Sequence, residues 1–184
     1  MSSWNSKKEC RSYFKSLCAR EFAQGLVQNQ QQLSTHLRDF MSSQTGVWGA
    51  YRALPQEADV EEVFTLIHIE WLFPRVSGSE LEFCRVDGFS QGAFGILEPD
   101  MKSLVVDHRH IRGLLIPGLA FNKDGHRLGK GKGYYDRTLE HFTGIKVGIC
   151  FDFQISEQRL PVEGHDIRMD FLITESGLID CRKQ

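Results

Sequence analysis

Residues 116–136 read IPGLAFNKDGHRLGKGKGYYD. An apolar run ends at Pro117-Gly118, glycines at 125, 129, 131 and 133 then alternate with Arg127, Lys130 and Lys132, and a helix-like segment follows over 134–142. Glycine lets a backbone approach a ligand and turn successive N–H groups toward an anion, and a following helix N-terminus adds partial positive charge. A strand, a cationic glycine loop and a helix in that order describe a phosphate cradle at the carboxyl end of a strand in an open α/β sheet. The spacing matches neither the GxxxxGK[ST] of a P-loop nor the GxGxxG of a dinucleotide fold. From the loop alone, a cradle and a solvated surface loop both stay open.

The rest of the chain supplies the sheet. Short apolar runs at 69–75, 80–86, 113–117, 146–151 and 170–174 alternate with helical patterns. That order predicts an α/β fold in three layers, a mostly parallel sheet with helices on both faces. The 80–86 run fits an antiparallel hairpin with the run before it. Upstream, Ser6-Lys7-Lys8-Glu9 has the form of a capping box, and Cys10, Phe14, Leu17, Cys18 and Phe22 recur at helical spacing, so a first helix is predicted over roughly 6–23. Lys7 and Arg11 share one face of it, off the apolar stripe, and their loss is expected to leave stability nearly unchanged. A glutamine-rich second helix is predicted over about 26–41 with Leu33, Leu37 and Phe40 facing inward, and residues 46–53 read as a buried strand. Asp59-Val60-Glu61-Glu62 is a second capping-box pattern, opening a helix that carries Val63, Phe64 and Ile67.

With 184 residues the chain suits one domain over 1–184 with a full core. A net charge of -2 gives no reason to invoke nucleic acid or an anionic membrane, so anion binding must be local. The five cysteines are widely spaced and form no CxxC, which points to free thiols rather than a disulfide framework or zinc site. No signal-like segment and no long apolar run occur in the sequence, and the expected location is cytoplasmic. Asp107-His108-Arg109-His110 has HxH spacing, but no partner cluster is visible for a metal, and it reads as solvated.

The run Pro117-Gly118-Leu119-Ala120-Phe121 followed by RLGKGKGYYD at 127–136 resembles the signature of the 5-formyltetrahydrofolate cyclo-ligase family. Other segments fit in the same order: Lys7-x-x-Cys10-Arg11, Glu57, Pro74-Arg75, Gly95-Ile96-Leu97-Glu98-Pro99, and LPVEGHDIRMDFLITE at 160–175. The resemblance implies a fold like the NagB/RpiA/CoA-transferase superfamily. It also implies ATP-dependent cyclisation of 5-formyltetrahydrofolate to 5,10-methenyltetrahydrofolate, with ADP and phosphate released, by a monomer or weak homodimer.

Residue by residue, the resemblance implies ATP contacts from Lys7, Lys8, Arg11 and the run Arg127, Leu128, Gly129, Lys130, Gly131, Lys132, Gly133, Tyr134 and Tyr135. Arg127, Lys130 and Lys132 would carry the catalytic charge. Arg52, Glu57 and Phe94, with Lys130, Gly131, Lys132, Gly133 and Tyr134, would meet the folate. Asp136 and Asp166 would be the magnesium ligands; from the residues alone, the first also suits a helix start and the second a turn. The chain departs from the family pattern at Val60, Cys10 and Phe94, the last standing where tryptophan is usual. Two other readings stay open: a nucleotide- or folate-binding module without turnover, and a different phosphotransferase using the same cradle.

Overall fold

The computed structural model describes residues 4, 6–92, 95, 97–164 and 166–183. Among the described residues four α-helices, α1 (Lys7–Ala23), α2 (Val27–Ser42), α3 (Glu61–Leu66) and α4 (Tyr134–Glu140), accompany twelve strands. The strands are β1 (Val47–Gly49), β2 (Glu70–Ser77), β3 (Glu80–Arg85), β4 (Phe89–Gln91), β5 (Leu97–Pro99), β6 (Leu104–Val105), β7 (Gly113–Pro117), β8 (Ala120–Phe121), β9 (Arg127–Leu128), β10 (Ile145–Ile149), β11 (Phe171–Thr174) and β12 (Gly177–Asp180).

Eight strands form one sheet in the order β12-β11-β10-β7-β1-β2-β3-β6. The stretch from β11 to β2 is parallel, and β12, β3 and β6 add antiparallel edges. The sheet is therefore mostly parallel, and the predicted β2–β3 hairpin is present. Every residue of β7 is buried, as a central parallel strand requires. Its side chains alternate between faces: Leu115 packs with α2 and α3 through Leu33, Leu37, Met41 and Val63, whereas Leu114 and Ile116 pack with Leu139 of α4. These two clusters are the outer contacts of a three-layer arrangement. At Gly113 an added Cβ would lie 2.4 Å from the Trp48 ring, so glycine there lets the β1 indole close over the neighbouring strand.

The first helix forms as its cap predicts: Ser6 is extended (φ -164, ψ 158) and its side chain accepts the Glu9 N–H at 3.1 Å. Its buried stripe, Cys10, Phe14 and Cys18, packs on Leu119, Ala120, Leu128 and Leu160 rather than on the main sheet. All five cysteines are free thiols and all are buried. Among the described residues no helix is long and apolar enough to cross a membrane.

Several local expectations are corrected. The predicted 46–53 strand ends at Gly49; Ala50 still donates to the Leu72 carbonyl at 2.9 Å, but 51–53 run past the end of the neighbouring strands toward the cavity described below. The Asp59–Glu62 capping box does not form, because Val60 occupies the cap position and has no side-chain acceptor; Asp59 instead accepts the Glu61 N–H at 2.8 Å. Finally, the glycine loop does not follow β7 directly. The β8–β9 hairpin intervenes, and Gly125 lies in its turn (φ +86), against the Met169 backbone and apart from the loop.

Candidate active site

The glycine loop needs its glycines at two defined places. Gly131 has φ +103 and Gly133 has φ +74, backbone regions that other L-residues rarely adopt. Gly133 occupies the N-cap of α4 in left-handed conformation, so the chain turns sharply from loop to helix. Two arginines hold this loop from opposite sides. Arg11 of α1 donates its Nε–H to the Gly129 carbonyl at 3.1 Å, across 118 residues of sequence. Arg137 of α4 donates to the Lys132 carbonyl at 3.0 Å and to the Ser79 carbonyl at 2.6 Å, tying the loop to the β2–β3 turn.

The loop forms one wall of a cavity of about 400 Å³, lined by Gly129, Lys130, Lys132, Gly133, Tyr134, Tyr135, Asp136, Arg127 and the end of β7 at Pro117-Gly118. The other walls come from Tyr51, Arg52, Leu54 and Glu57 after β1, from Phe73, Pro74 and Val76 of β2, and from Leu81, Leu97 and Glu98. The cavity thus opens at the carboxyl ends of the central strands, where open α/β sheets bind ligands.

The catalytic cations predicted from sequence do not stand alike. Arg127 has a side chain only 6% exposed; its guanidinium donates to the Pro117 carbonyl at 3.2 Å and pairs with Asp136, over the Tyr135 ring. It braces the start of α4. Lys130 reaches across the cavity to Glu57, Nζ to Oε1 at 2.7 Å, and the Glu57 side chain is 6% exposed. The second Glu57 oxygen accepts the Leu54 N–H at 2.9 Å. Glu57 is presented by a tight turn, Leu54–Glu57, closed by a 3.0 Å bond from the Glu57 N–H to the Leu54 carbonyl, with Pro55 second and Gln56 third at φ +67. Glycine is the usual residue at such a third position, so Gln56 holds the turn with local strain. Burial first, and then the Glu57 charge, raise the phenol pKa values of Tyr51 and Tyr135 above their ordinary range. Both tyrosines remain neutral donors beside the carboxylate.

The remaining predicted residues divide. Tyr134 lines the cavity, with Arg137 over its ring at 5.6 Å. Arg52 also lines it, held by Glu61 at 2.9 Å and stacked over Phe89 at 5.0 Å. Leu128 is a core residue beneath α1, and Lys8 is exposed. Phe94 lies outside the described residues. Lys7 pairs with Asp166 at 2.8 Å and with Glu163 at 2.9 Å, so it fastens α1 to the C-terminal loop. The expectation that losing Lys7 leaves stability nearly unchanged did not foresee these pairs. Each carboxylate expected to hold magnesium is thus engaged by a cation, Asp136 by Arg127 and Asp166 by Lys7. Among the described residues no group of three or more His, Cys, Asp or Glu is gathered as a metal site. Asp107–His110 forms a single exposed turn held by its own Asp107–Arg109 pair, as its sequence suggests.

Three site residues escaped sequence reasoning. Tyr51 was read only as part of a buried strand. Arg137 follows the signature and looks like a surface helix residue. Glu98 lies in a motif that could be quoted but not interpreted, because nothing in a strand pattern tells that its carboxylate is turned inward.

A family model for the 5-formyltetrahydrofolate cyclo-ligase family matches residues 4–175. A Schizosaccharomyces pombe protein described as a probable 5-formyltetrahydrofolate cyclo-ligase is 31% identical over 111 residues, covering 53% of this chain and 54% of that protein. An Escherichia coli 5-formyltetrahydrofolate cyclo-ligase is 44% identical over 66 residues, 34% of this chain and 36% of the relative. The matched regions thus span about half the length, or less, of these curated relatives. Among solved structures, an Aquifex aeolicus 5,10-methenyltetrahydrofolate synthetase is similar with TM-score 0.80 and 31% identity, over 96% of this chain and 93% of that one. A Mycoplasma pneumoniae 5,10-methenyltetrahydrofolate synthetase shares the fold, with TM-score 0.73 and 24% identity over 92% of this chain and 99% of that one.

Proposed function

The chain belongs to the 5-formyltetrahydrofolate cyclo-ligase family, and we propose that it cyclises 5-formyltetrahydrofolate to 5,10-methenyltetrahydrofolate at the expense of ATP. One observation carries the reading: the cationic glycine loop and Glu57, over seventy residues apart in sequence, meet across one cavity at 2.7 Å through Lys130. An anion cradle and a carboxylate for the donor edge of a pterin are what a folate kinase-like step requires side by side.

In the proposed reaction the N5 lone pair feeds into the formyl group, the formyl oxygen attacks the γ-phosphorus of ATP, and the bond to the ADP oxygen breaks; phosphorylation leaves an electrophilic N5–carbon iminium. N10 then attacks that carbon and gives up its proton, and the carbon–oxygen bond breaks with loss of phosphate. Such a transfer depends on positioning and on meeting charge at the phosphoryl oxygens. Lys130 and Lys132, with the loop N–H groups, supply that charge, while Arg127 sets the loop and Arg11 holds it from α1. Lys130 exchanges Glu57 for the phosphates as the pterin takes the carboxylate. Tyr134 offers a ring face and Arg52 a cation to the folate. The chain acts as a single domain in the cytoplasm, alone or as a weak homodimer.

Asp136 and Asp166 offer the oxygen donors that magnesium takes, a hard cation held by one or two carboxylates and substrate phosphates, provided each exchanges its present cation, Arg127 or Lys7, for the ion. Asp136 and Asp166 would hold it, and when bound it would neutralise phosphate charge.

The test is incubation with 5-formyltetrahydrofolate, ATP and magnesium, following the methenyl chromophore. Its appearance with one ADP per product is the expected result. Tight binding of both ligands without the chromophore would make the chain a binding module, and phosphate release with another acceptor would make it a different phosphotransferase.

A further inference from the structure

The cavity holds a second carboxylate that the reaction above does not use. Glu98 is 8% exposed, sits on β5 and lines the cavity together with Glu57. Its Oε2 accepts the Val76 N–H at 3.1 Å. No further partner for its other oxygen, Oε1, occurs among the described residues. Behind it, a side chain at residue 92 would collide: a Cβ on Gly92 would fall 2.3 Å from the Glu98 carboxyl carbon and 2.7 Å from Oε1. That second oxygen keeps its contact with the cavity, where it is open to a donor on a bound ligand. Glu57, by contrast, has both oxygens engaged, by Lys130 and by the Leu54 N–H.

A tetrahydropterin has more donors than one carboxylate can take. A single carboxylate fits the adjacent N3–H and 2-amino group, and the ring still presents N8–H. In an oxidised pterin, N8 carries a lone pair in place of that hydrogen. We infer that Glu98 is a specificity-determining residue that accepts a donor on the reduced ring of the folate, N8–H, and so selects reduced over oxidised pterins. This rests on the folate reading of the cavity. A carboxylate facing the N8 lone pair of an oxidised ring would be repelled and left without its donor, and discrimination built on an unpaired buried polar group is larger than discrimination by shape.

The discriminating variant is Glu98→Gln. The amide oxygen can still accept the Val76 N–H, so a structural role survives the change, while the amide NH₂ meets N8–H poorly and N8 of an oxidised ring well. Binding of 5-formyltetrahydrofolate and of folic acid is measured by calorimetry for the wild type, Glu98→Gln and Glu57→Gln, with melting temperatures alongside. For Glu98→Gln the expected result is a loss of roughly 10- to 100-fold for 5-formyltetrahydrofolate, the range of a charge-assisted hydrogen bond, with folic acid held or improved. For Glu57→Gln both ligands should weaken together, because both carry N3–H and the 2-amino group. A Glu98→Gln protein whose preference for the reduced ligand equals that of the wild type overturns the inference, as does equal weakening of both ligands with a fall in melting temperature. A wild type that binds neither ligand removes the folate reading itself, a result distinct from either of these.

Discussion

Replacing Lys7 with methionine keeps most of the unbranched apolar stem and removes the charged end. The Lys7 and Asp166 side chains are 17% and 9% exposed, and Nζ lies 2.8 and 3.0 Å from the two carboxylate oxygens. A charge-assisted bond of this kind contributes about 1.5–3 kcal/mol. The bond to Glu163, whose side chain is 56% exposed, adds well under about 1 kcal/mol. Asp166 retains the Glu163 N–H at 2.7 Å, so its carboxylate is not stranded and the loss falls toward the lower end, about 2 kcal/mol. For a chain of this size that is a fall in melting temperature of roughly 4–8 °C. The assay is a double-mutant cycle of Lys7→Met, Asp166→Asn and the pair; a coupling of about 1.5 kcal/mol is expected, and additivity of the two changes would refute the reasoning. The pH profile gives a second check. Burial works to lower the Lys7 pKa, but the hydrogen bonds to Asp166 and Glu163 and the attraction of both outweigh it, and the net shift is upward from 10.5. A raised lysine contributes stability that is complete below its unfolded pKa and lost as pH rises through the folded value. The difference between wild type and Lys7→Met should therefore be constant from about pH 7 to 9 and shrink above roughly 10.5. ATP kinetics, taken well below the variant's melting temperature, should show kcat/KM lowered roughly 10- to 150-fold.

Gly131→Ala introduces a Cβ at φ +103 that meets Arg11 only at an ordinary 3.6 Å, so its cost is conformational, and it should raise the KM for ATP while folate affinity holds. A fall in folate affinity with ATP affinity held would assign the loop to the wrong ligand. Gln56→Gly relieves a positive φ of 67 and should raise the melting temperature by about 1–3 °C, whereas Gln56→Val should lower it; the reverse order would show the turn to be unstrained. His126 is buried, and desolvation, followed by the nearby Arg168 charge, lowers its pKa. A histidine kept neutral by folding contributes stability that is full above its unfolded pKa of about 6.5 and lost as pH falls below it. The unfolding free energy from urea melts should therefore fall more between pH 7.5 and 5 in wild type than in His126→Gln, and equal falls would contradict this.

The parallel sheet was legible because buried strands announce themselves as apolar runs: all five predicted runs became β2, β3, β7, β10 and β11 with ends displaced by at most about two residues. The α1 cap was legible because Ser6 and Glu9 are neighbours in sequence. What periodicity cannot carry is pairing over distance. The partner of Lys7 lies 159 residues away and that of Arg11 lies 118 residues away, and neither leaves a mark on the helix pattern. Hence the first turn looked merely solvated. The Asp59–Glu62 pattern failed because Val60 is drawn into the core at 1% exposure, and packing overrode the capping signal. Gly125 shared a glycine spacing with the loop but belongs to a hairpin turn, a distinction that only φ angles and neighbours make.

With every cysteine covered, a thiol reagent has no immediate target on the folded chain, and alkylation becomes a record of which parts come open and how often. Burial also lifts the Cys10 thiol to about 11 and Cys150 well above its usual range, so even an uncovered sulfur must first leave its surroundings to react. Cys10 and Cys18 are on the buried face of α1, the helix that brings Arg11 to the glycine loop, whereas Cys150 lies in the cluster of the central sheet. If Cys10 and Cys18 are alkylated ahead of Cys150, α1 lifts from the loop while the sheet stays closed. Saturating ATP should then slow those two sulfurs and leave the exchange of Cys150 unchanged.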